Sequence, residues 1–173
     1  MRKCVLLGLF SSVILVTLSC GSGATAHYNR GVDLFHRGKY EEADAEYRKA
    51  IDLKPDFAEA YYNLGCTLEK EGKGEEVIPA FRKAIDLKPD FAEAYCNLSI
   101  SLRKQGKYEE AIVASHKAIV LKPDFSQALE SLGDALDGQG HRKEARVYFE
   151  KALKLERVDE RVGAIKNRLA EPD

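Results

Sequence analysis

The sequence predicts an all-α solenoid in which one 34-residue unit is repeated four times. The segment AEAYYNLG at 58–65 returns as AEAYCNLS at 92–99, and AFRKAIDLKPDF at 80–91 has close copies ending at Phe57 and Phe125. A unit this short cannot bury an apolar face alone, so consecutive units must stack on one another. Apolar residues recur at spacings of three and four in each half of the unit, which indicates two helices per unit.

Three prolines spaced 34 residues apart, Pro55, Pro89 and Pro123, fix the frame of the repeats at 24–57, 58–91, 92–125 and 126–159. Within each repeat, numbered from 1 to 34, small residues at positions 8, 20 and 27 let two helices approach closely. A glycine at position 15 ends the first helix, and the proline ends the second. The expected helices are 26–37, 41–53, 58–71, 75–87, 92–105, 109–121, 126–138 and 142–155.

The repeats resemble the tetratricopeptide repeat (TPR) family. Repeat 2 follows that family's pattern at Tyr61-x2-Leu64-Gly65-x2-Leu68, then at Gly72, Val77-x3-Phe81-x2-Ala84 and Pro89, and repeat 3 follows it closely. The resemblance covers 24–159. It implies a right-handed superhelical solenoid of four helix-turn-helix repeats, followed by a C-terminal capping helix and tail at 160–173. An apolar stripe at Val162, Ile165 and Leu169 agrees with that last helix.

Some repeats depart from this pattern. His27 and Arg30 stand where large apolar residues are usual, as expected of a terminal repeat that faces solvent. In repeat 2, Gly74 replaces a tyrosine and Pro79 falls inside the second helix, so that helix should start late or kink. Arg157 replaces the proline of repeat 4, which should let its last helix run on or turn loosely.

The first nineteen residues have the layout of a secretory signal: Arg2 and Lys3, then an apolar run over 5–18. The end of the run, Thr17-Leu18-Ser19-Cys20-Gly21, resembles a bacterial lipoprotein signal. That resemblance implies a diacylated Cys20 as the mature N-terminus, a short linker over 20–25, and a membrane-anchored protein facing the periplasm or cell surface. An Ala-x-Ala cleavage site at 24–26, giving a soluble periplasmic or secreted protein, and an uncleaved anchor are the alternatives.

Charge and motifs argue against several functions. Without Arg2 and Lys3, residues 21–173 hold 25 Lys and Arg against 28 Asp and Glu, a net charge of −3, which disfavours a nucleic-acid-binding surface. The four histidines occupy unrelated repeat positions, and no HExxH or CxxC spacing occurs. The glycines follow the repeat period rather than a phosphate-binding loop. We therefore expect no catalytic residues, no metal, no cofactor and no small-molecule substrate.

The expected site is the concave groove, which the TPR resemblance places at positions 2, 5, 9, 12 and 13 of the first helices. Exposed aromatic residues in such a stripe often mark contacts with a partner. We interpret Cys66 and Cys96 as small residues of the groove wall. A disulfide between them is the alternative in an exported protein. The candidate groove residues are Tyr28, Phe35, Glu59, Tyr62, Cys66, Glu69, Cys96, Ile100, Arg103, Lys104, Glu130 and Asp134.

These observations lead to the expectation of a non-enzymatic adaptor or assembly factor of the bacterial cell envelope. Its partner would be a peptide or helix of another protein, bound in the groove, and the N-terminal lipid would attach it to the membrane. One alternative is a TPR module that recruits a periplasmic enzyme, such as a cell-wall hydrolase, to the membrane. A second alternative, an intrinsic enzyme, lacks the convergent titratable cluster that catalysis requires.

Overall fold

The structure is a computed structural model that describes residues 23–155, where the chain forms eight α-helices and no strand. This confirms the all-α expectation. The described residues fall into two compact units, one within 23–73 and one within 74–155. The first unit holds α1 (23–36), α2 (Tyr40–Leu53) and α3 (Ala58–Glu71). The second holds α4 (Gly74–Leu87), α5 (Ala92–Lys104), α6 (Tyr108–Leu121), α7 (Ser126–Gly138) and α8 (Arg142–Leu155).

Most helix bounds agree with the sequence prediction to within one residue, and three agree at both ends. The main difference is in α1, because residues 23–25, expected in a linker, are already helical. The signal segment 1–19, the lipidation candidate Cys20 and the capping helix over 160–173 lie outside the described residues.

The turn inside each helix pair depends on a glycine. Gly72 has φ of 74°, a left-handed conformation, and Gly38, Gly106 and Gly140 have similar angles. Beyond Gly72, the Lys73 N–H donates to the Leu68 carbonyl at 2.9 Å, which is the long hydrogen bond of a Schellman motif. The same bond follows the other three glycines. The predicted role of position 15 is therefore confirmed.

The turn between repeats has its own recurring contact. In each KPDF segment the lysine ammonium lies over the phenylalanine ring, 4.7–4.8 Å from its centroid, as Lys122 does over Phe125. The Phe125 N–H also donates to the Lys122 carbonyl at 3.1 Å. These two contacts hold the four-residue turn in one conformation, so that the next helix begins directly after the phenylalanine.

In the first unit, a ring at position 24 fills the space left by a glycine at position 8. A Cβ on Gly31 would lie only 2.7 Å from the ring of Tyr47, so α1 and α2 can pack this closely only with glycine there. The polar residues of α1 that occupy packing positions have a partner in α2. His27 contacts the nearly buried carboxylate of Glu46 at 2.7 Å, and Arg30 lies 3.6 Å from it. This pairing accounts for the unusual composition of repeat 1.

The second unit has two kinds of core. Between α7 and α8, Gly133 faces the ring of Phe149 in the arrangement seen for Gly31 and Tyr47, and Leu132 and Leu136 pack around it. At repeat 3 three buried serines meet instead, Ser99 and Ser115 of repeat 3 and Ser131 of repeat 4. The Ser99 hydroxyl lies 2.6 Å from that of Ser115 and 2.9 Å from that of Ser131. A small polar cluster therefore replaces the glycine–aromatic pair in this repeat.

Helix α4 contradicts the expectation of a delayed start in repeat 2. It begins at Gly74, so its start is not delayed, and Pro79 is its sixth residue. The side chain of Pro79 is exposed, and Val77, Ile78 and Phe81 form the buried face of the helix. A proline at this depth removes the hydrogen bond that residue 79 would donate to the Glu75 carbonyl. The helix forms because its apolar face is buried in spite of that loss.

Candidate peptide-binding surfaces

The first unit presents a stripe of four predicted groove residues along α3. The stripe follows spacings of three, four and three residues, so its members share one face of the helix, and all four are half-buried. They are Glu59, Tyr62, Cys66 and Glu69. The apolar packing residues Leu64 and Leu68 lie elsewhere on the helix and are buried. The stripe is thus accessible and separate from the residues that hold the unit together.

Most of the side chain of the predicted groove residue Tyr28 is in contact with other residues of the first unit. Its ring lies against Phe57, with centroids 4.8 Å apart, and its hydroxyl accepts a hydrogen bond from the Asn63 amide at 3.0 Å. Burial raises the pKa of Tyr28, and the nearby carboxylate of Glu59 raises it further. Tyr28 therefore connects α1 to α3, and only part of its surface is available to a partner.

Phe35 is likewise shared between surface and packing. Its ring meets Tyr40 edge-on, with centroids 5.4 Å apart, and Tyr40 begins the next helix. The contact closes the turn between α1 and α2. Phe35 is half-buried, so a partner could reach one face of the ring.

In the second unit the structure corrects the prediction for Cys96. Its side chain is fully buried beside Ala118 and Ala128, with Ile100 packed against the same cluster. Cys96 cannot line an open surface. Neither Cys66 nor Cys96 forms a disulfide in the structure.

Of the two basic groove residues predicted on α5, Arg103 is paired with an acidic residue. The Arg103 guanidinium lies 3.6 Å from the Asp134 carboxylate of α7, and its Nε is buried without a hydrogen-bond acceptor. Lys104 is exposed and Glu130 is half-buried. The sequence alone did not reveal the pairing of Arg103 with Asp134, although opposite charges in neighbouring first helices were a signal for it. Arg103 thus connects α5 to α7 rather than standing open to a partner.

Helix α7, the first helix of repeat 4, is strongly acidic. Glu130, Asp134 and Asp137 follow at spacings of four and three residues, and α7 contains no lysine or arginine. Asp137 lies 3.4 Å from Arg142 of α8. The accessible predicted residues of the second unit are therefore Ile100 and Lys104 on α5 and Glu130 on α7.

Metal-binding groups and membrane-spanning helices are absent from the described residues. Within 23–155 there is no group of His, Cys, Asp and Glu that could hold a metal ion. In the same range, none of the helices combines the length and apolar character needed to cross a membrane. A repeated-helix fold with accessible mixed stripes on its first helices defines a class of proteins, the helical-repeat scaffolds that bind other proteins.

Comparison with known proteins places the chain within this class. Family models described as TPR repeat or tetratricopeptide repeat match residues 33–72, 58–91, 80–113 and 126–159. The chain belongs to the tetratricopeptide repeat family. The matches over 58–91 and 126–159 have the same bounds as repeats 2 and 4 of the sequence frame. No curated protein matches the sequence.

Solved structures of similar fold include MamA, which is 33% identical with a TM-score of 0.73 over 76% of this chain and 77% of its own. Pseudomonas aeruginosa PilF is 27% identical with a TM-score of 0.77, covering 87% of this chain and 69% of its own. YrrB, described as a TPR protein with an unusual peptide-binding site, is 22% identical with a TM-score of 0.74 over 92% and 87% of the two chains. At that identity YrrB supports the fold alone. The TPR fold is typically a non-enzymatic interaction scaffold.

Proposed function

We propose that this protein is a non-enzymatic adaptor or assembly factor of the bacterial cell envelope. It binds a peptide or helix of a partner protein on the accessible faces of its first helices. The observation that supports this most is the α3 stripe, in which Tyr62 and its neighbours are half-buried while the packing residues lie on other faces. Aromatic residues in such partly enclosed positions are frequent anchors of protein interfaces.

Attachment to the envelope rests on the N-terminal sequence. Arg2 and Lys3, the apolar run over 5–18 and Ser19-Cys20-Gly21 fit a lipoprotein signal. Two acyl chains on Cys20 would anchor the protein stably, whereas a single chain gives marginal binding. Intact mass and membrane fractionation of the wild type and of Cys20→Ala test this. A wild-type mature chain that starts at His27 without lipid would contradict it.

Photo-crosslinking in cells tests the binding surface. A photo-reactive amino acid placed at 62 or at 104 should crosslink to the same partner, whereas one placed at 45 or at 83 should not. Residues 45 and 83 are exposed on second helices and serve as matched positions. If the four positions give the same products, the first-helix faces are not the site. Identification of the shared partner as a cell-wall hydrolase would favour the recruiting-module alternative.

Point variants separate binding from stability. Tyr62→Ala should weaken binding of the identified partner by about tenfold or more and leave the melting temperature nearly unchanged. Tyr61→Ala is the control, since position 4 is a packing position and its loss should lower the melting temperature with little direct effect on binding. Arg103 is unsuitable for this test because its pairing with Asp134 makes it structural as well. Unchanged affinity in Tyr62→Ala would refute the proposed role of the stripe.

A further inference from the structure

The second unit carries exposed apolar side chains on its second helices that the proposed groove function does not use. Among the described residues, five large apolar side chains are exposed, and four of them lie on α6 or α8. Val113 and Val120 lie seven residues apart on α6, about two helical turns, and are 70% and 72% exposed. On α8 the exposed residues are Val147 and Leu155. We name Val113, Val120, Val147 and Leu155 the valine patch.

The internal repeats show that this surface is not a requirement of the fold. Val120 occupies position 29, where repeats 1 and 2 carry Asp52 and Asp86 in an otherwise almost identical segment. Both of those aspartates are exposed. The same helix therefore accepts a carboxylate at this position, and valine there adds apolar surface to solvent without adding to the core. Exposed apolar residues that packing does not explain indicate a contact.

Side chains near the valine patch join the two helices, and α8 has an excess of basic residues. His116 of α6 meets the ring of Tyr148 of α8 edge-on, with centroids 6.1 Å apart, and Lys151 lies over that ring at 5.0 Å. Helix α8 has five lysines and arginines against two glutamates, which lie three residues before and three residues after Val147, so its net charge is basic. On α6, Lys117 is exposed between the two valines, while the acidic Glu110 at the start of the helix is paired with Arg82.

We propose that the valine patch, with its surrounding lysines, docks on an anionic lipid surface. Aliphatic side chains flanked by lysines suit the boundary between lipid headgroups and acyl chains, because lysine keeps its ammonium among the headgroup phosphates while its stem lies along apolar surface. The basic charge of α8 complements the negative potential of such a surface. The patch has only four aliphatic side chains, which is small for a stable interface between two protein surfaces. The docking does not depend on acylation of Cys20.

Vesicle sedimentation tests this docking with the chain from residue 20 onward and Cys20→Ala, which retains every described helix and removes the acylation site. The vesicles contain either phosphatidylglycerol with phosphatidylethanolamine or phosphatidylcholine alone. Val120→Asp should weaken binding to the anionic vesicles by about tenfold or more, because it replaces apolar contact with a like charge. The matched control is Ala45→Asp, which adds the same charge to an exposed site on α2.

A second pair of variants probes charge alone. Lys117→Gln should weaken binding to anionic vesicles by about three- to tenfold, and Lys83→Gln, at the same repeat position on α4, should leave it within about twofold. Circular dichroism checks that each variant keeps its helix content. The proposal is overturned if the parent binds phosphatidylcholine as well as it binds the anionic vesicles, or binds neither. It is also overturned if Val120→Asp and Ala45→Asp behave alike, or if the patch instead proves to mediate self-association without lipid.

Discussion

The serine cluster of repeats 3 and 4 can be replaced by the corresponding residues of repeats 1 and 2, and the structure predicts that the replacement works only as a set. Repeat 1 uses Gly31 and Tyr47 at positions 8 and 24; burial raises the pKa of Tyr47, while the side chain of Asn63, at position 6 of the following repeat, acts to lower it. The corresponding residues of the serine cluster are Ser99, Ser115 and Ser131. The perturbation is therefore Ser99→Gly, Ser115→Tyr and Ser131→Asn, singly and together.

The expected magnitudes follow from the geometry of repeat 1. There, a Cβ at position 8 would stand 2.7 Å from the tyrosine ring, so Ser115→Tyr alone should be overpacked by about 1–3 kcal/mol. Ser99→Gly alone costs about 1 kcal/mol for glycine in a helix. Loss of its hydroxyl contacts adds about 1 kcal/mol. In the combined variant, glycine at position 99 relieves the clash, and burial of the new tyrosine ring adds about 2 kcal/mol to the stability. The coupling should therefore be about 2–4 kcal/mol in favour of the combined variant.

Urea unfolding followed by circular dichroism measures these differences, again with the chain from residue 20 and Cys20→Ala. The combined variant should lie within about 1 kcal/mol of its parent. Gly31→Ser is the reverse control and should destabilise, since its Cβ would overlap the Tyr47 ring. If the single costs simply add in the triple variant, equivalence of the repeat cores is wrong and the serine cluster has a packing geometry of its own.

Two further outcomes follow from the described helices. Pro79→Ala should raise the free energy of unfolding by about 1–3 kcal/mol, because Pro79 lies past the first turn of α4 on its exposed side; an unchanged or lower urea midpoint would contradict this. The hydrogen bond from Lys49, with that from His27, holds the pKa of Glu46 below its ordinary value of 4.5. That stabilisation is present above the ordinary pKa and is lost as the pH falls through the lower folded value. Glu46→Gln should therefore be less stable at neutral pH and lose stability less steeply on acidification, and equal pH slopes for the two proteins would refute the role of Glu46.

The fold could be predicted from the sequence because its determinants are local and recur. The glycine at position 15, the proline at position 32 and the small residues that face large ones act within one repeat, so their period reveals them. The effect of Gly74 and Pro79 on the start of α4 was predicted wrongly, although the expected bound at residue 75 is only one residue away. The weak propensity of Gly74 and Pro79 suggested a delayed helix, but the burial of Val77, Ile78 and Phe81 outweighs that propensity.

The candidate site could be predicted only in part, because exposure depends on neighbouring side chains rather than on position. Tyr62 and Lys104 are accessible where the family pattern places them, but Cys96 is covered by its neighbours in the second unit. The pairing of Arg103 with Asp134 likewise depends on the spacing between α5 and α7, which periodicity does not give. The serine cluster did leave a signal, since positions 8 and 24 change together in repeat 3.

The contacts between helices also bear on how such a chain can change in length. The side-chain hydrogen bonds described here that join different helices connect residues from 16 to 35 positions apart, about one repeat. Residues 23–155 contain no strand that would have to pair with a distant part of the sequence. A whole 34-residue repeat can therefore be duplicated or deleted at a KPDF turn, and each remaining helix still packs against an equivalent neighbouring helix. Residues 58–91 and 92–125 are identical at 22 of their 34 positions, as a duplication of this kind would leave.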